Sequence, residues 1–87
     1  KLAVVAVLAN SRNPNFQSVL KESELAATAL KLRLQVNKVR EPDQLVDAFA
    51  TMTKGGAEAL SVMPDSMLLS NYKTIFDLAS KNRLPRV

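Results

Sequence analysis

The sequence predicts an α/β domain built on a parallel sheet, and three observations carry that expectation. Eight successive apolar residues, Leu2–Ala9, are too continuous for a half-solvated strand and too few to span a bilayer, so they read as a strand buried on both faces. A polar run follows at once and contains Asn13-Pro14, a capping residue before a residue suited to the first helical position. Helix-like and strand-like patterns then alternate to the end of the chain, with connections short enough to require parallel, right-handed crossovers. The expected architecture is three layers around a sheet of about four strands in the flavodoxin-like order 2-1-3-4, forming one α/β domain over residues 1–87.

The elements follow in order. Residues 16–32 place Phe16, Val19, Leu20, Ala26, Ala27 and Leu30 at helical spacing, with Lys21, Glu22, Glu24 and Lys31 mostly opposite. Leu32 to Val39 alternates Leu34 and Val36 with Arg33, Gln35 and Asn37, the pattern of a half-exposed edge strand. Val39 breaks that phase, which predicts an irregularity near Asn37-Lys38. Glu41-Pro42-Asp43 opens a second helix with the buried stripe Leu45, Val46, Phe49 and Met52, and Lys54-Gly55-Gly56 ends it with a cation and a glycine able to take positive φ. Ala59–Met63 is a third, apolar strand closed by Pro64-Asp65-Ser66. Leu68, Leu69, Tyr72, Ile75, Phe76 and Ala79 then mark a third helix reaching about Asn82, with Tyr72 and Phe76 expected in the core. Leu84–Val87 reads as the start of a fourth strand.

Composition narrows the chemistry. The chain has no cysteine and no histidine, which excludes disulfides, thiolate nucleophiles, imidazole bases and the usual zinc sets. A net charge of +4 raises the question of nucleic acid. The basic residues, however, are scattered singly or in pairs with no aromatics between them, so no nucleic-acid partner is expected. No signal or membrane-spanning segment is evident, and an upstream region is expected because the chain opens directly on a core strand.

Ligands bind parallel sheets at the carboxyl ends of the strands, which points to the loops 10–15 and 64–67. These offer Asn10, Ser11, Asn13 and Asn15 as neutral groups, Arg12 as a cation, and Asp65 as the only carboxylate. Amides and hydroxyls bind but seldom transfer protons, so the set favours recognition over reaction and suits a zwitterion. Asn13 reads first as an N-cap, a role compatible with contacting a ligand. Asp65 reads equally as a cap of its turn or as a contact. A phospho-accepting receiver would need an acidic pair after strand 1, where Asn10-Ser11 stands. A flavin or nucleotide phosphate loop would need glycines that loop 10–15 lacks. No metal site and no cofactor are expected.

Val4–Asn10 with Asn13-Pro14-Asn15, Leu34–Val36 with Val39–Asp43, Ala57–Leu60 with Val62–Asp65, and Lys81–Pro85 together resemble the substrate-binding proteins of a bacterial ABC-transporter family with the type I periplasmic-binding fold. The resemblance runs along essentially the whole chain. It implies two lobes closing on a ligand, amino acids for some members, with this chain as the first part of the second lobe and the first lobe missing. It further implies Asn10, Ser11, Asn13 and Asp65 along one wall of the cleft, with Asp65 a candidate for a ligand ammonium. A membrane permease would be the partner, and the location periplasmic or extracytoplasmic, as a lipoprotein or not. The expectation is a solute-binding component and not an enzyme. The alternative is a ligand-sensing module of a signalling or transcription-regulatory protein. Because one helix covers one sheet face and two cover the other, self-association of the chain through the barer face is expected as well.

Overall fold

The computed structural model describes residues 3–86; Leu2, expected in the first strand, and Val87, expected in the fourth, lie outside them. Three parallel strands, β1 (Val4–Asn10), β2 (Arg33–Val39) and β3 (Ala59–Val62), form a sheet in the order β2-β1-β3. The helices are α1 (Phe16–Leu30), α2 (Leu45–Lys54), α3 (Ser66–Ser70) and α4 (Tyr72–Lys81), with a 3-10 turn at Pro42–Gln44 before α2. The expected centre and edge are therefore correct, since β1 is flanked on both sides and the more polar β2 ends the sheet. Among the described residues the fourth strand is not formed. Its place beside β3 is held by a single parallel bridge, Leu60 to Arg86, because Pro85 offers no N–H and leaves its carbonyl to accept from Leu60 at 2.8 Å.

Residues opposite one another in a parallel register share a face. Ala6, Leu8, Gln35, Asn37, Leu60 and Val62 look to one side, and Val5, Val7, Leu34, Val36 and Ser61 to the other. The first side carries α2, whose terminal Gly55 lies so close to Gln35 that a Cβ there would collide with the amide. The second side carries α1, where Ser23, Ala26, Ala27 and Leu30 face Val5, Val7, Leu34 and Ser61. The core is concentrated on and around the first side: Leu8, Leu45, Phe49, Met52, Leu60, Leu68 and Ile75 are fully buried.

Other expectations change in ways that the packing explains. Pairing of β2 with β1 runs without a bulge from Arg33 to Val39, so Val39 and Asn37 both turn inward. Asn37 tolerates burial because its Nδ2 donates to the Gln35 carbonyl at 3.0 Å and to Gln35 Oε1 at 3.2 Å. Val46 is exposed, since α2 turns Leu45, Phe49 and Met52, with Ala48 partly buried beside them, toward the core. The Pro42 turn stays 3-10 and is closed by a capping box in which Glu41 and Gln44 exchange side-chain and backbone bonds. Gly56 takes φ +77, as the end of α2 required.

The expected third helix is two. Asn71 breaks it at φ −113, and its Nδ2 turns back to the Met67 carbonyl at 2.8 Å in place of continuing the ladder. Tyr72 and Phe76 leave the core: they are 53% and 39% exposed and meet edge to face at 5.4 Å. Their side of α4 lies toward the margin where the fourth strand is only a bridge, so no sheet lies there to receive them. Ala26 and Leu30 of α1 are exposed, and Phe16 and Ala27 are the buried residues of that helix.

Candidate functional site

Both loops that leave the sheet at its carboxyl edge converge on one carboxylate. β1 ends in Asn10, which is only 8% exposed because it still lies within the sheet, opposite Val39. Ser11 is tied beside it, its N–H donating to the Val39 carbonyl at 3.1 Å. The chain then turns twice on its own side chains: Asn10 Oδ1 accepts from the Arg12 N–H at 2.9 Å, and Asn13 Oδ1 accepts from the Asn15 N–H at 2.8 Å. These Asx turns bring the Asn10 and Asn13 amide nitrogens to the same side. Asn13 is accordingly not the N-cap that its position before Pro14 suggested. The N-cap of α1 is Asn15, which makes no side-chain cap bond.

Across the gap, Asp65 follows Pro64 in an extended conformation and is the N-cap of α3. Its Oδ1 accepts from Asn13 Nδ2 at 2.7 Å and from Asn10 Nδ2 at 3.2 Å. Its Oδ2 accepts from Asn10 Nδ2 at 3.1 Å and from the Leu68 N–H at 3.0 Å. Burial pushes the Asp65 pKa up, but the bonds from Asn13 and Asn10 and from the Leu68 and Met67 backbones outweigh it and hold the carboxyl below its usual 3.8. Asp65 is therefore an anion at neutral pH. Of the four residues singled out by sequence, Asn10, Asn13 and Asp65 are bonded into one cluster. Ser11 stands beside them, half-buried, its backbone held and its hydroxyl in no protein hydrogen bond among those described.

Sequence reasoning missed a neighbouring surface. Val62, Met63, Pro64, Leu68, Leu69 and Tyr72 line an open cleft of about 500 Å³ that has Asp65 at one side and Arg86 at another. The Arg86 guanidinium lies 3.9 Å from the centre of the Phe76 ring, a cation–π contact. Leu69, Tyr72 and Phe76 sit at the spacing of an ordinary buried stripe, and no sequence signal separates such a stripe from an exposed one. Among the described residues no group of three or more acids could hold a metal ion. The edge thus presents neutral amide and hydroxyl groups beside one carboxylate.

No protein-family model and no curated protein matches the chain. Solved structures do. An ABC domain from Streptococcus pneumoniae in complex with L-Trp superposes with a TM-score of 0.87 at 18% identity, over 98% of this chain and 28% of that one. A substrate-binding protein with adhesive properties from Clostridium difficile, in its ligand-free, open structure, superposes with a TM-score of 0.87 at 15% identity, over 99% of this chain and 29% of that one. The chain therefore has the fold of part of a substrate-binding protein and spans less than a third of the length of these structures.

Proposed function

We propose that this chain is part of one lobe of a solute-binding protein and supplies one wall of a cleft for a small polar or amino-acid-like ligand. The observation that carries the reading is the convergence of Asn10, Ser11, Asn13 and Asp65 at the carboxyl edge, beside the strand where the sheet order reverses. The likeness to substrate-binding structures, one of them holding L-Trp, supports it. On this reading the protein is not an enzyme. An opposing lobe buries the rest of the ligand, an ABC-transporter permease receives it, and the setting is periplasmic or extracytoplasmic, with a lipid anchor as one form of attachment.

The test is calorimetry on the two-lobed protein that this reading implies, against the natural amino acids with L-Trp first. Saturable binding of one ligand, weakened by about 1–3 kcal/mol in Asn13→Ala, is the expected result. Binding of no small solute would overturn the reading, and so would catalytic turnover abolished by Asp65→Ala.

A further inference from the structure

The Asp65 carboxylate is held by three donors, Asn13 Nδ2, Asn10 Nδ2 and the Leu68 N–H. A carboxylate offers about four lone-pair sites. Asn13 holds Oδ1, the Leu68 N–H holds Oδ2, and the one Asn10 amide nitrogen is shared between the two oxygens. The amide oxygens of Asn10 and Asn13 hold the Arg12 and Asn15 N–H groups in turn, and the second N–H of Asn13 lies outside these bonds. One charge thus closes three pieces of chain, the end of β1, the loop before α1 and the first turn of α3, across separations of 52 and 55 residues.

We infer that Asp65 is a positioning residue: with Asn10 and Asn13 it clasps the β1–α1 and β3–α3 loops at a set spacing, and this wall meets a solute with neutral amide and hydroxyl groups and not with the carboxylate. The inference rests on the reading that the edge faces a solute, and it replaces the expected pairing of Asp65 with a ligand ammonium. An incoming ammonium competes with these donors for the same two oxygens. Displacing them would leave the Asn10 amide, nine-tenths buried, without an acceptor and the Leu68 N–H without its cap. Ser11, whose hydroxyl is not used by the clasp, stays available on the same loop.

The test is 15N NMR of the 87-residue chain. In a titration with methylammonium chloride, against sodium chloride at equal ionic strength, the side-chain amide resonances of Asn10 and Asn13 are expected to stay in place. Asn13→Ala is expected to move the backbone amides of Ser66 and Leu68 across the gap, and Asp65→Asn those of Arg12 and Asn15. Saturable movement of the Asn10 and Asn13 amides by methylammonium alone would overturn the inference, as would Asn13→Ala leaving Leu68 at its original shift. Should Asp65→Asn unfold, the methylammonium and Asn13→Ala arms still decide. A parallel titration with acetamide, sodium acetate and L-Trp reads the underlying function. No shift at Ser11 or Ser66 from any of the three would remove the solute-facing half of the inference and leave the clasp to be judged by its own arms.

Discussion

Replacing Asp65 by alanine strands the Asn10 amide in a nearly dry position and uncaps α3 in the same step. An unsatisfied buried polar group and a lost cap each cost about 1–2 kcal/mol, so urea denaturation should show Asp65→Ala less stable by about 2–4 kcal/mol. That is a large share of what a domain of this size has to lose. The dependence on pH follows from the direction of the Asp65 shift. The folded carboxyl has the lower pKa, so the unfolded chain takes up the proton first as pH falls. The stabilisation is fully present above the ordinary value of 3.8 and is lost as pH falls through the folded value. The stability difference between wild type and Asp65→Asn should therefore be constant near neutrality and shrink below about pH 4. A difference that stays constant into strong acid would show that the bonds do not depend on the charge.

At the scale of elements, α1 and α4 end in the same way, each with a long cationic residue in the left-handed region. Lys31 has φ 58 and Arg83 φ 54, and the residue after each donates back to the helix, Leu32 to the Ala27 carbonyl at 2.8 Å and Leu84 to that of Ala79 at 2.9 Å. A side chain with a Cβ is strained there, so glycine at either position should stabilise by about 0.5–1 kcal/mol despite its more flexible unfolded state. Gly56, at φ +77 with open space around it, gives the converse. Gly56→Ala meets no steric contact and still should cost about 1 kcal/mol through φ alone. In a domain this small such changes move the melting temperature by about 4–8 °C per kcal/mol, and calorimetric melting of Lys31→Gly and Gly56→Ala should shift in opposite directions.

For the whole molecule, the accessible surface is 5791 Å², against about 5,000 Å² for a folded monomer of this mass. Part of that excess lies on the α1 side of the sheet, where Val5, Val7, Ala26, Leu30 and Leu34 line an open apolar cleft. A standard protein interface removes about 800 Å² from each partner, so a dimer through this cleft must also draw in the α1 surface around it. Self-association is the expected result in sedimentation velocity, and Leu30→Glu should abolish it while leaving the Asp65 cluster unchanged. A monomer unaffected by concentration up to tens of micromolar would show that the cleft stays open to water.

The sequence by itself determined the class of the fold and its central strand, because an unbroken apolar run flanked by helical patterns has few other ways to leave water. It also named Asn10, Ser11, Asn13 and Asp65, since chain order places the loops after β1 and β3 at the same edge of a parallel sheet. Only the tertiary structure decided what those residues do for one another, for the bonds that commit Asp65 to Asn10 and Asn13 join positions more than fifty residues apart and leave no local pattern. The same holds for the reversals of burial. Asn37 sits inside and Tyr72 and Phe76 outside because burial depends on whether another layer stands opposite, and periodicity records which residues are apolar, not what faces them. The fourth strand belongs here too: among the described residues Leu84-Pro85-Arg86 makes one bridge beside β3, where proline supplies a carbonyl but no N–H.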